Sequence, residues 1–126
     1  EELYATCTYQ YLSEINLHFI REINSFLGIK TEILSSSDFD LAEDRNQRLI
    51  DICRSLNATD YYSGPSAKNY INETMIENAG INLHYFDYSR YKEYPQLHPP
   101  FEHGVSILDV LLNLGEESKQ HFKLIE

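Results

Sequence analysis

Tryptophan is absent from this chain of 126 residues, methionine occurs once and cysteine twice. Basic side chains are scarce as well: ten Lys and Arg stand against twenty Asp and Glu, a formal charge of −10. So acidic a surface repels phosphate backbones and argues against nucleic acid, but leaves room for a small anion held by a local Lys or Arg. No run approaches the roughly 18 apolar residues that span a bilayer, so no membrane partner is expected. A secretory leader is also lacking, which predicts a cytoplasmic protein. Cys7 and Cys53 have no CxxC spacing and sit among apolar neighbours, which favours buried free thiols in a reducing compartment. The Asn-x-Thr triplets at Asn57 and Asn72 matter only in a secreted protein. Low-complexity tracts and interior linkers are missing too, and the length suits one core, so residues 1–126 are expected to form a single α/β domain.

Helix and strand signals alternate along the chain. Leu12, Ile15, Phe19, Ile23, Phe26 and Leu27 recur at steps of three and four, the stripe of an amphipathic helix that Gly28 then stops. Ile29 to Leu34 reads as a strand closed by Ser35-Ser36-Ser37-Asp38. Asp44 and Gln47 form a capping pair for a second helix, with Leu49, Ile52, Cys53 and Leu56 inward. A Tyr-rich strand follows at Asp60 to Ser63. Gly64-Pro65 turns into a third helix with Ala67, Ile71 and Met75 inward, and Gly80 ends it before a strand at Ile81 to Phe86. This order implies parallel strands with right-handed crossovers: a layered α/β fold with a small parallel sheet. The runs Phe26-Leu27-Gly28-Ile29 and Asn78-Ala79-Gly80-Ile81 use one grammar twice. Asp87 to Gly104 is aperiodic and holds three prolines; connections this long more often serve function than not. Val105 to Leu114 is apolar almost all round, the mark of a short buried helix.

Three clusters carry candidate chemistry. Ser63-Gly64-Pro65-Ser66-Ala67-Lys68 places a glycine between a parallel strand and a helix N-terminus, where backbone N–H groups and Lys68 can hold an anion. It does not match the P-loop spacing, and an ordinary strand–helix turn explains it as well. Asp109 and Asn113, at i and i+4, project from one face of the apolar helix. They either line a site or serve as caps, Asp109 in a Ser106-x-x-Asp109 box and Asn113 before Gly115. The loop holds Tyr94, Gln96, His98 and His103. Histidine can act as acid, base or ligand, yet His98, Glu102 and His103 fit no zinc spacing, and no metal is expected. A trio of Ser63, His98 and Asp109 lacks a G-x-S-x-G elbow.

Four segments in order resemble the WbqC-like family: Asn46-Gln47-Arg48-Leu49-Ile50-Asp51-Ile52-Cys53; Tyr62-Ser63-Gly64-Pro65 with Lys68 and Tyr70; Tyr94-Pro95-Gln96-Leu97-His98; and Ser106-Ile107-Leu108-Asp109 with Asn113 and Gly115. The resemblance runs from about Phe26 to Gly115. It implies a cytoplasmic protein of bacterial surface-polysaccharide (O-antigen) biosynthesis, a transferase of acyl or aminoacyl groups acting on an activated amino sugar. Its implied partner is a small-molecule sugar or nucleotide sugar. No cofactor is named by these residues. The implied catalytic residues are His98, moving a proton, and Asp109, orienting it or a hydroxyl; the implied ligand-binding residues are Ser63, Gly64, Pro65, Lys68, Gln96, Ser106 and Asn113. Ser63, Gln96, His98 and Asp109 are expected in one cleft near the strands' C-terminal ends. A non-catalytic domain binding a sugar nucleotide or another protein, and a nucleotide-transferring enzyme, are the alternatives. The family's aromatic Gln-Pro segment is lacking and Pro99-Pro100 departs from its pattern. Hence a piece of a longer protein is expected, with an open sheet edge that favours self-association.

Overall fold

The computed structural model describes residues 2–121. They belong to two compact units, one formed by the residues up to Glu32 with those from Tyr91 onward, the other by Ile33–Arg90.

The Ile33–Arg90 unit carries the sheet. Helix α3 (Arg45–Ser55) starts where the Asp44 carboxylate accepts from the N–H groups of Asn46 and Gln47, at 3.0 and 2.8 Å. The Gln47 side chain does not reach back to close a capping box; it donates to Asp51 at 2.8 Å. Asn57 ends α3 at φ 52, so that Ala58 N–H can reach the Cys53 carbonyl, a left-handed position that asparagine tolerates. Strand β1 (Asp60–Ser63) then pairs in parallel with β2 (Asn82–Tyr85), in the register Asp60–Asn82 to Ser63–Tyr85. Helix–strand alternation and a small parallel sheet are therefore present, as the sequence predicts, and the fold is α/β.

Between the strands the expected single helix is two pieces, a 3-10 turn at Pro65–Asn69 and helix α4 at Glu73–Asn78. Asn72 makes the break. Its carboxamide caps α4 by accepting from Met75 N–H at 3.1 Å, and its own N–H donates to Asn46 Oδ1 at 2.8 Å. A short polar side chain that satisfies the backbone locally competes with helix continuation. Of the residues expected inward, Cys53, Ala67 and Ile71 are buried, whereas Leu56 is 47% exposed. Ala67, Ile71 and Ile76 are buried with Ile50, Cys53 and Ile81, and Met75 packs against them half-buried. Alternation puts Tyr61, Leu83 and Tyr85 on the strand face that packs on this core. Burial pushes the Cys53 thiol pKa up and keeps it protonated and inert.

The predicted strand at Ile29–Leu34 does not form. Gly28 does stop the preceding helix α2 (Leu12–Leu27), at φ 75 with Ile29 N–H bonded to the Asn24 carbonyl at 2.8 Å. Gly80 repeats that arrangement at φ 78 with Ile81 N–H on the Ile76 carbonyl. One cap thus serves two outcomes. Ile81 is buried and leads into a paired strand, whereas Ile29 is 44% exposed and finds no ladder. Strand propensity without a partner is not a strand.

The other unit consists of a short α1 (Glu2–Ala5), α2, α5 (Ile107–Leu114) and α6 (Ser118–His121). In α2 the inward stripe is only partly covered: Phe19 meets Tyr4 edge-on at 4.9 Å, while Leu12 and Phe26 stay exposed. The α5 segment is not buried all round as predicted. Val110 faces inward, but Leu112 is 85% exposed, because the unit offers apolar neighbours on one side only. Among the described residues no helix is long and apolar enough to cross a membrane.

Ile76, 1% exposed at the centre of the Ile33–Arg90 core, should cost about 3 kcal/mol when truncated to alanine. Ile29→Ala should cost less than about 0.5 kcal/mol, as for surface substitutions. Urea midpoints of the two variants check this; a large loss from Ile29→Ala would restore the strand.

Candidate functional site

The predicted site residues fall in the two units. Ser63, Gly64, Pro65 and Lys68 lie in Ile33–Arg90; Gln96, His98, Ser106, Asp109 and Asn113 lie in the other.

In the first group, Ser63 ends β1 half-buried on the core-facing side, its carbonyl accepting from Phe86 N–H at 3.0 Å. Gly64 and Pro65 lead into the five-residue 3-10 turn, in which Ala67 N–H already bonds the Gly64 carbonyl at 3.0 Å. One short turn lacks the dipole of a full helix, so the helix N-terminus expected behind Gly64 is a 3-10 turn instead. Lys68 folds back, its ammonium 4.9 Å from the centre of the Tyr85 ring, a cation–π contact. The Tyr85 hydroxyl donates to Glu73 at 2.8 Å. Loss of water around the ring and this carboxylate push the Tyr85 pKa up to about 12.

The opposite face of the strands holds residues that the sequence reading passed over. Tyr62 and His84, cross-strand partners, stack at 4.5 Å with an 18° interplanar angle. Phe86 follows at 5.7 Å from Tyr62, and Tyr88 lies nearly parallel to Phe86 at 6.4 Å. The Tyr88 hydroxyl stands over Gly64, 3.4 Å from where a β-carbon would be. Tyr62, Phe86 and Tyr88 are each about half exposed. At the start of the row, Asp60 Oδ1 pairs with His84 Nε2 at 2.7 Å and its other oxygen accepts from Thr59 at 2.7 Å. Bonds from Thr59 and then His84 hold the Asp60 carboxyl below its usual range. The Tyr-rich strand was the available signal; alternation alone puts Tyr62, His84 and Phe86 on one face.

In the second group, Asp109 and Gln96 come together. Asp109 Oδ2 accepts from the buried Tyr94 hydroxyl at 2.6 Å and from Gln96 Nε2 at 3.0 Å. Gln96 also grips the loop backbone, donating to the Glu102 carbonyl at 3.0 Å and accepting from Glu102 N–H at 2.8 Å. Tyr94 meets Phe101 and His121 edge-on. The loop is thus folded around Tyr94 and pinned to α5. Burial first, then the Asp109 carboxylate, raise the Tyr94 pKa.

Ser106 caps α5 by accepting from Leu108 N–H at 3.3 Å. The reciprocal half of the capping box is not made among the described residues, since Asp109 is taken by Tyr94 and Gln96. Asn113 donates to the Asp109 carbonyl one turn back at 2.8 Å and is exposed; Gly115 ends the helix. His98 is exposed and makes no hydrogen bond, ion pair or ring contact among the described residues. No cluster of three or more His, Cys, Asp or Glu that could hold a metal occurs among the described residues.

With this geometry in view, comparison with known proteins decides the family. A family model described as the WbqC-like protein family matches residues 1–121. The chain belongs to the WbqC-like family. The match starts ahead of the Phe26–Gly115 span carried by the four motifs and takes in α1 and α2. A Mycobacterium tuberculosis (strain ATCC 25618 / H37Rv) protein, named Uncharacterized protein Rv1507c, is similar at 40% identity over 112 residues, 89% of this chain. The chain spans about half the length of that relative, 48%. No solved structure matches. The structure gives several of these residues a local account: Asn46 binds the Asn72 backbone, Gln47 binds Asp51, and Gln96 binds Asp109.

The raised Tyr85 pKa has a pH consequence with a definite sign. Above the unfolded value of about 10 the unfolded chain releases a phenolic proton that the folded chain keeps until about 12. Its contribution is complete below pH 10 and disappears as pH rises toward 12. Urea midpoints at about pH 8 and about pH 11 should therefore fall less in Tyr85→Phe than in the parent. Equal falls would show that Tyr85 titrates normally.

Proposed function

We propose that the chain belongs to a transferase of bacterial surface-polysaccharide (O-antigen) biosynthesis that moves an acyl or aminoacyl group onto an activated amino sugar in the cytoplasm. One observation carries this reading: the exposed row from Tyr62 and His84 through Phe86 to Tyr88, which ends over Gly64 where β1 leaves the sheet. Sugar rings present C–H faces that pack on aromatic rings, while tyrosine hydroxyls and the Asp60–His84 pair at the margin suit sugar hydroxyls. Ligands of parallel α/β sheets gather beyond the strands' carboxyl ends, where Gly64 and Tyr88 lie. Ser63, Gly64, Pro65 and Lys68 bound the ligand in this reading. For the other unit the family resemblance implies His98 as the residue that moves a proton, Asp109 as an orienting group, and Gln96, Ser106 and Asn113 as ligand contacts. The same platform without transfer chemistry is a sugar-nucleotide-binding module, separated by turnover with an acyl donor.

Saturation-transfer NMR with UDP-N-acetylglucosamine tests the platform. Saturation should reach the pyranose protons, and Tyr62→Ala and Phe86→Ala should each weaken binding about tenfold, the loss of one ring contact of ~1.4 kcal/mol. Saturation limited to the uridine, or unchanged affinity in both variants, would sink the sugar-stacking reading.

A further inference from the structure

Asp60 and His84 form a pair that stacking of the aromatic row does not require. Both stand on the open face of the strands, Asp60 at the start of β1 and His84 two residues beyond its cross-strand partner Asn82. Three side chains converge on the Asp60 carboxylate. Thr59 donates to Oδ2 at 2.7 Å, Asn82 donates to Oδ1 at 3.3 Å, and His84 Nε2 lies 2.7 Å from Oδ1. Bonds from Thr59 and then His84 hold the carboxyl below its usual range, so near neutral pH it is ionised and can only accept. Nε2 therefore carries the proton in this contact, and a neutral His84 ring keeps its lone pair on Nδ1.

Among the described residues Nδ1 bonds to nothing and, unlike His18 Nε2, which is buried without a partner, it stays open to solvent on a side chain 39% exposed. The ring is held from a second side as well, stacked on Tyr62 at 4.5 Å. An exposed ion pair adds little to stability and needs no such order. An imidazole with one nitrogen tied to a carboxylate and the other bare and accessible is instead the arrangement of an oriented general base. Its place fits that use. Tyr62 continues the row to Phe86, so a sugar packed on these two rings borders the imidazole. His98 lies in the other unit.

We propose that His84 is the general base of the sugar platform, its Nδ1 taking the proton of the sugar's attacking group, with Asp60 as the positioning residue that holds the ring. This rests on the transferase reading and on the platform of Tyr62 and Phe86. In the transfer step the amino nitrogen of the sugar bonds the acyl carbon of an acyl thioester while the carbon–sulfur bond breaks. The surplus proton on that nitrogen passes to Nδ1. The imidazolium then returns it to the departing thiolate, so the imidazole ends as it began and the products are an amide and a thiol.

UDP-glucosamine, which carries a free amine, serves as the probe, with acetyl-coenzyme A as the thioester. In NMR of the chain labelled at histidine nitrogen, at about pH 8 and so above the ordinary histidine range, His84 should be protonated on Nε2 and bare at Nδ1. The sugar nucleotide should displace the Nδ1 resonance saturably and leave Nε2 nearly in place. In acetyl transfer, His84→Phe keeps a ring on Tyr62 and should lower kcat about hundredfold, as for loss of a general base, with far less change in KM. Asp60→Asn should lower kcat about tenfold and let a proton appear on Nδ1 in the same spectra, a change that a merely structural role would not produce. A proton on Nδ1 in the parent, an unchanged kcat in His84→Phe, or sugar binding without acetyl transfer would overturn the base. Sugar binding that needs Tyr62 but leaves Nδ1 unmoved removes His84 and keeps the platform. Binding that survives Tyr62→Ala undiminished removes the platform, and this proposal with it.

Discussion

Two parallel strands of four residues each hold little by themselves, and parallel pairing needs a crossover that returns the chain to the same edge. Everything in the Ile33–Arg90 unit depends on that return. It is secured by packing: Ile71 and Ile76 from the crossover close on Ile50 and Cys53 of α3, with Ile81 at the entry to β2. Burying side chains of this size contributes about 1.5–3 kcal/mol each before the entropy of ordering is subtracted. The Asn46–Asn72 hydrogen bond fixes where the crossover bends. The aromatic row is a consequence. Once one strand face is committed to the core, alternation leaves Tyr62, His84 and Phe86 on the other.

The second unit is organised by a polar contact. A carboxylate partly withdrawn from water must be paired, and Asp109 meets this by accepting from Tyr94 and Gln96. Gln96 then spends its remaining donor and acceptor on the backbone at Glu102. One charge therefore orders a proline-rich segment that has no periodicity of its own. Tyr94 and Gln96 of the loop and Asp109 of α5 are thus parts of one bonded network.

Signals that a few neighbouring residues can satisfy were legible in the sequence. The caps at Gly28, Asp44, Gly80 and Ser106 act within one turn, so the sequence announces them directly. Core residues such as Cys53, Ala67 and Ile71 were also legible, because burial follows periodicity even where the helix itself breaks at Asn72. Less visible was anything that needed a partner from elsewhere. Ile29–Leu34 has the composition of a strand but no neighbour to pair with, and α5 is apolar all round yet covered on one side.

For the candidate sites the division is the same. Candidate residues were recognisable by type: Asp109, Gln96 and His98 by motif. By itself, the sequence determined the caps at Gly28, Asp44, Gly80 and Ser106, inward residues such as Cys53, Ala67 and Ile71, and the parallel order of β1 and β2, since each follows from spacing along the chain. Only the tertiary structure decided that Asp109 binds Tyr94 rather than capping its own helix, that Lys68 lies over Tyr85, and that His18 is buried without a partner. The reason is physical: a hydrogen bond or ring contact between residues far apart in sequence depends on distance and direction in space, and spacing along the chain encodes neither.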